Sequence, residues 1–248
     1  RLADTLAELV PPQGRIGIPM GMETHLRMPL ADFLRLQDRI APRVFVDGTA
    51  AVCRVREIKS EFEIEKIGQT CALAAAAYDR VPEFAQIGTP LSQVFRDFQI
   101  ALLTAGADWV SYVAGGAGPD GYGDVISPAD DRPLAQGDVL MLDTGAVRDG
   151  YFCDFDRNYA IGPPTDAVRR AHDILHAATD AAVSALRPGM MACDAHRILA
   201  DAITRAGAAT LRGRSGHGLG LTLTEWPSLT SMDMTLLRTG MVLTLNRE

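Results

Sequence analysis

The chain has no basic tract. Its net charge is −7 and its pI near 5.2. The acids are spread along it, so nucleic-acid binding has no electrostatic support. It also has no run of ~18 apolar residues, so no segment is expected to span a membrane. Nothing at the start reads as a signal peptide. Arg1-Leu2-Ala3-Asp4 is polar and lacks an initiator Met, which points to a start further upstream. Cysteine is scarce and scattered, at Cys53, Cys71, Cys153 and Cys193. No short paired spacing links these four, which argues against a zinc knuckle or a disulfide scaffold and for a reducing cytoplasm. The glycines of residues 111–126 are not spaced as G-x-x-x-x-G-K-[ST] and no Lys follows, which excludes a phosphate-binding loop. A flexible loop between strands is expected there. What remains is 248 residues, 47% of them hydrophobic, enough for a sizeable core and one or two domains.

The most informative stretch runs from Val139 to Gly162. An apolar run, Val139 to Leu142, ends in Asp143. A turn signal follows at Asp149-Gly150, and then a second strand-like run that carries Asp154 and Asp156. Two such runs around a short turn predict a hairpin. A turn centred on Arg148-Asp149 places Asp143 opposite Asp154; one centred on Asp149-Gly150 places it opposite Asp156. Directly opposed Cβ atoms lie ~4.5–5.5 Å apart. Two carboxylates that close need a proton or a cation between them. An acid at the end of an apolar run is half buried, which a solvated surface ribbon does not explain.

Residues 1–54 look like the tail of a small α/β unit. Leu2, Leu6 and Leu9 have helical spacing, Gly14–Ile18 and Arg43–Asp47 read as short strands, and Pro29–Ile40 as a helix. Val52 to Ser60 is a connector. Ser60-Glu61-Phe62-Glu63 matches a capping box, after which Ile64, Ile67, Cys71 and Ala74 mark an amphipathic helix. Thr89 or Ser92 is a candidate cap for a second helix reaching Ala105. Asp166 is read as the cap of a long helix stopped by Arg187-Pro188-Gly189. On that helix His172 and His176 are four apart, but without the zinc-protease Glu between them they read as surface histidines. His196, near the start of a helix over Asp194–Ala206, reads the same way.

The second focus is Gly213 to Ser228. His217 lies between two glycines, which leaves room for close approach to the imidazole. The alternation of Leu219, Leu221 and Leu223 predicts a strand after it, ended by Glu225-Trp226-Pro227, and Gly240–Leu245 reads as a last strand. His217 with the two hairpin acids makes an O/O/N donor set that divalent metals accept.

In order, these pieces are Gly137-Asp138, Leu142-Asp143-Thr144-Gly145, Gly150-Tyr151, Asp154, Arg157, Arg187-Pro188-Gly189, Gly216-His217-Gly218, Glu225, Pro227 and Gly240-Met241-Val242. The series resembles the creatinase/aminopeptidase family, which includes methionine aminopeptidase, Xaa-Pro dipeptidase (prolidase), aminopeptidase P and creatinase. The resemblance covers roughly Ile58 to Leu245. It implies an α+β pita-bread fold over residues 55–248, with residues 1–54 as the remnant of a prolidase-type N-terminal α/β domain. It implies two divalent cations held by two Asp, one His and two Glu, with Mn²⁺ favoured by hard oxygen ligands and Zn²⁺, Co²⁺ or Fe²⁺ as alternatives. Carried over by position, Asp143, Asp154 and His217 are metal ligands, which favours the hairpin register that opposes Asp154. Arg157 becomes a residue that orients a carboxylate, Glu225 the catalytic acid, and Thr224 substrate-binding; Trp226, beside Glu225, is read separately as the floor of a substrate pocket. The implied reaction is attack of a metal-activated water on an amide carbonyl of a small peptide, by a cytoplasmic homodimer.

Two positions depart from the family pattern. Thr224 stands where its peptidases carry a second His, seven residues after His217; a Thr hydroxyl donates a hydrogen bond but holds no proton charge. Asn246 stands where a ligand Glu is expected, and the last ligand Glu would lie beyond Glu248. Three functions follow as alternatives: a metal-dependent Xaa-Pro peptidase, a creatinase-like hydrolase of a small amide or amidine that needs no metal, and a non-catalytic peptide-binding member of the fold.

Overall fold

In a computed structural model, the protein is described over residues 1–119, 121–123, 128–208 and 213–245. The chain divides into two compact units, Arg1–Arg56 and Glu57–Glu248. In the first unit, helix α1 (Leu2–Leu9) precedes strand β1 (Arg15–Ile18), and helix α2 (Leu30–Ile40) leads to strand β2 (Val44–Asp47). The strands pair in parallel, Arg15 with Val44 through Ile18 with Asp47. The first part of the expected Val52–Ser60 connector is instead helical, in α3 (Thr49–Arg56), and residues 57–60 are the non-helical link to the next helix. Asp47 accepts from the amide of Thr49 at 2.8 Å, which satisfies an otherwise unpaired donor in the first turn of α3.

The second unit opens with α4 (Glu61–Asp79). Its capping box forms as expected: the Ser60 hydroxyl accepts from the Glu63 amide at 3.4 Å, and the Glu63 carboxylate accepts from the Ser60 amide at 2.9 Å. After α5 (Val81–Phe84) comes α6 (Leu91–Thr104). Neither Thr89 nor Ser92 caps α6. Pro90 occupies the cap position, and Ser92 lies one residue inside the helix with its hydroxyl turned to Asp131.

The glycine-rich loop expected at 111–126 is in large part a strand, β3 (Trp109–Pro119); residues 120 and 124–127 lie outside the described residues. β3 pairs antiparallel with β4 (Asp138–Arg148), whose other edge carries β5 (Tyr151–Phe152) and β6 (Phe155–Ala160). With a neighbour on both edges, β4 supplies a ladder that overrides the weak intrinsic strand preference of glycine. Its run Leu140-Met141-Leu142 is almost fully buried, as a central strand requires.

α4 and α6 pack on this sheet through Ala74, Ala77, Tyr78, Phe98 and Leu102. The Tyr78 hydroxyl lies 3.0 Å from the Leu142 carbonyl and 2.7 Å from that of Phe155, which ties α4 to the β4–β6 pair. α7 (Asp166–Ala185) and α8 (Ala192–Arg205) form a hairpin around Ala178, Ala182, Leu199 and Ile203. The cap of α7 is Thr165, whose hydroxyl accepts from the Val168 amide at 3.3 Å; Asp166 is the first helical residue.

The predicted strand over Leu219–Leu223 does not form. β7 is His217–Gly218 alone, and its partner β8 is Glu225–Ser228, so 219–224 is the bend that joins them. Leucine alternation suits a strand, but the segment folds back on itself instead: the Gly220 amide donates to the Thr222 carbonyl at 3.1 Å and the Thr222 amide to the Glu225 carboxylate at 3.1 Å. The expected last strand is reduced to a bridge between Leu243 and Gly218, flanked by Thr244 N–H to the His217 carbonyl at 2.8 Å.

Candidate active site

The hairpin register places Asp143 opposite Asp156, with Val147 opposite Phe152 and Arg148 opposite Tyr151. The turn therefore centres on Asp149-Gly150, and the direct opposition of Asp143 and Asp154 inferred from the resemblance is corrected. The reason is backbone chemistry. Asp149 and Gly150 have φ of +52° and +82°, the left-handed pair that a two-residue hairpin turn demands, and Asp followed by Gly supplies it at least strain.

Asp154 nevertheless shares a face with Asp143. Counting on from the Thr144–Phe155 pair, Asp154 comes opposite Gly145, two residues along from Asp143 on the same side of β4. Tyr112 closes the diagonal. Its hydroxyl lies 2.7 Å from Asp154 Oδ1 and 3.2 Å from each Asp143 oxygen. The β3–β4 register shifts between Val110 and Val113, at Tyr112, and such an irregularity re-aims a side chain. Gly145 makes room for it: a Cβ there would come within 2.6 Å of the Tyr112 ring and 2.8 Å of Leu223.

His217 reaches the pair from β7. Its Nε2 is 2.9 Å from Asp154 Oδ2, with both side chains under 10% exposed. Its Nδ1 is 2.8 Å from the Gly218 carbonyl. A carbonyl only accepts, so Nδ1 carries a proton. In the neutral ring Nε2 then presents a lone pair to a carboxylate, an arrangement that requires a proton or a cation between them. Asp143 and Asp154 line a cavity of about 270 Å³, together with Ile67, Cys71, Asp156, Leu219 and Thr244 among others.

The electrostatics agree with the crowding. Burial first, and then the charges of Asp154 and Asp156, push the Asp143 carboxyl up to about 7, although the Tyr112 hydroxyl bond pulls the other way. Burial first, and then the charges of Asp154 and Asp143, hold the Tyr112 phenol far above its ordinary range, so it stays a donor. Two carboxylate ligands and one imidazole fit a divalent cation chemically. Among the described residues no group of three or more His, Cys, Asp or Glu side chains closes around one point. The contacts are pairwise, and the expected fourth position, Asn246, lies outside the described residues.

The other expected residues are dispersed. Glu225 is buried on β8, and its carboxylate is engaged by Lys59 Nζ at 3.0 Å and the Thr222 amide at 3.1 Å. The Thr224 hydroxyl accepts from Arg214 at 3.2 Å. Trp226 is half-buried beside Glu225. Arg157 lines the cavity, but its guanidinium bonds to the Asp156 backbone carbonyl at 2.6 Å and lies 4.8 Å above the Phe155 ring, where a carboxylate partner was expected. His172 and His176 are exposed beside acidic neighbours, as expected. His196 is not a surface residue; it is half-buried, 2.7 Å from the hydroxyl of fully buried Ser215. Sequence reasoning missed Tyr112 and Lys59. Reading 109–119 as a strand would have put Tyr112 beside β4, but the irregularity that aims it has no sequence signature.

Comparison with known proteins adds an independent finding. Residues 65–247 match the model of metallopeptidase family M24. The chain is 32% identical over 231 residues to a probable dipeptidase PepE of Mycobacterium tuberculosis, covering 92% of this chain and 61% of that protein. It is 31% identical over 233 residues to an Xaa-Pro dipeptidase of Pyrococcus furiosus, covering 91% and 65%. The crystal structure of dipeptidase PepE from Mycobacterium ulcerans superposes with a TM-score of 0.83 at 29% identity, over 94% of this chain and 61% of that one. The chain thus spans about three fifths of the length of the relatives it matches.

Proposed function

Because the chain belongs to metallopeptidase family M24 and has its pita-bread fold, we propose that it is a metal-dependent peptidase acting on small Xaa-Pro peptides. The observation that supports this best is the part-buried series Asp143–Tyr112–Asp154–His217, with His217 Nε2 2.9 Å from Asp154 Oδ2. Asp143, Asp154 and His217 are the metal ligands in this reading, for two ions, with Mn²⁺ favoured over Zn²⁺, Co²⁺ or Fe²⁺ by the hard oxygen donors. The metal, when bound, supplies an activated water and polarises the amide carbonyl. Tyr112 links the two carboxylates through its single hydroxyl. The Gly218 carbonyl fixes the His217 tautomer, the usual job of a ligand's outer partner. Asp156, opposite Asp143, adds negative potential on the same face. Thr224 and Trp226, on the His217 hairpin, contact the substrate, and the active form is a homodimer.

The test is hydrolysis of a panel of Xaa-Pro dipeptides and N-terminal Xaa-Pro peptides by the protein supplied with Mn²⁺. Turnover lost on chelation and in Asp154→Asn is expected; no cleavage of any member of the panel refutes the reading. A second reading rests on Thr224, which puts a hydroxyl where the family has an imidazole. A creatinase-like hydrolase of a small amide or amidine follows from it, and activity on such a compound that survives chelation, with none on peptides, would select it.

A further inference from the structure

Lys59 and Glu225 are among the most buried charges of the second unit. Their side chains are 2% and 5% exposed, and Nζ lies 3.0 Å from Oε2. The other oxygen, Oε1, accepts from the Thr222 amide at 3.1 Å and faces its hydroxyl at 3.4 Å. The bend closes over this pair so tightly that a Cβ on Gly220 would come within 2.9 and 3.0 Å of the two carboxylate oxygens and 3.0 Å of Lys59 Cε. The pair also joins segments far apart in sequence. The Lys59 amide donates to the Gly240 carbonyl at 2.8 Å. Glu225 is paired across the hairpin with Gly218, the residue after His217, and Gly218 bridges to Leu243.

A buried ion pair is costly to form and more costly to break by removing one partner. At this place it does something an apolar contact could not. The carboxylate gathers the bend's backbone N–H, the ammonium neutralises that carboxylate, and both hold the strand that presents His217. We infer that Lys59 and Glu225 are positioning residues, a buried clamp that sets the 219–224 bend and through it the His217 ring. Glu225 on this view does not exchange protons with substrate. The functional half of the inference rests on the metallopeptidase reading; the structural half does not.

Two measurements on the whole protein test it separately. The first is hydrogen exchange of the metal-free chain. In Lys59→Met and in Glu225→Gln, the amides of Leu219, Gly220 and Thr222 exchange at least tenfold faster while α7 and α8 are unchanged; unchanged exchange at those amides overturns the clamp. The second is Mn²⁺ affinity by calorimetry alongside kcat and KM, with the charge-free double variant Lys59→Met/Glu225→Met included to guard against unfolding of a single variant that leaves one buried charge unpaired. The clamp predicts that the double variant folds yet binds Mn²⁺ 10–100-fold more weakly, as loss of a ligand's support does. Full metal affinity and activity in the double variant would make the pair merely structural and overturn the inference. Glu225→Gln with unaltered exchange and Mn²⁺ affinity but a collapsed kcat would return Glu225 to proton transfer and overturn it too. A wild type that takes up no Mn²⁺ sinks the metallopeptidase reading instead, and leaves the exchange result to judge the clamp.

Discussion

At the scale of single residues, the site is defined by how charge is shared. Asp143 titrates at about 7 in the folded, metal-free chain, against 3.8 for an ordinary Asp. Between those two pH values the folded protein holds a proton that the unfolded chain has already lost. Its contribution to stability is therefore fully present below pH 3.8 and lost as pH rises toward 7. Thermal melts of metal-free wild type and Asp143→Asn should diverge across that window, with the wild type losing ground as pH rises; parallel curves would show that Asp143 is not crowded. Tyr112 is the residue that makes two diagonal carboxylates act together. Tyr112→Phe removes the donor and keeps the ring, so the fold should persist while Mn²⁺ affinity falls 10–100-fold by calorimetry.

At the scale of elements, the site is assembled by β4 and its neighbours. β3 brings Tyr112, the β5–β6 strand brings Asp154, and the β7–β8 hairpin brings His217. Gly145 is where the first two meet, and a methyl there must displace the Tyr112 ring or Leu223. Gly145→Ala is expected to lower kcat/KM on an Xaa-Pro dipeptide at least tenfold, with far-UV circular dichroism intact. The start of α4 is a purely local matter. Ser60→Ala breaks the capping box and should cost about 1 kcal/mol, or roughly 2–4 °C in Tm for a unit of this size. Activity at saturating metal should be unchanged, because the cap touches nothing in the cavity.

At the scale of the whole molecule, Asp143 on the central strand and Asp154 and Asp156 on its neighbour crowd one face of the sheet, so the metal-free chain works against itself. Among the described residues no helix is long and apolar enough to cross a membrane. A ligand that binds only the folded state stabilises it by about 2.7 kcal/mol at a hundred times its dissociation constant. Mn²⁺ added to chelator-treated protein at pH 7 should therefore raise Tm by roughly 5–11 °C, and Asp154→Asn should abolish the rise. An equal rise in that variant would place the metal elsewhere.

The chain by itself determined the elements whose signals are local. The capping box at Ser60, the helix over Asp166–Ala185 and the buried run before Asp143 all follow from contacts within a few residues or from burial of one strand. The motif order, too, is a property of the chain, and it carried Asp143, Asp154 and His217 as candidates. The tertiary structure alone decided the rest. Whether Gly115, Gly116 and Gly118 lie in a loop or a strand depends on β4 lying beside them, and whether 219–224 is strand or bend depends on the Glu225 carboxylate, held by Lys59, taking the Thr222 amide. The hairpin register was open in sequence because side chains on a strand repeat every two residues, so Asp154 and Asp156 fall on one face whichever of them stands opposite Asp143. Tyr112 and Lys59 were invisible for a related reason: each is separated from its partners by 31 residues or more, and only the packing of distant segments brings their polar atoms together.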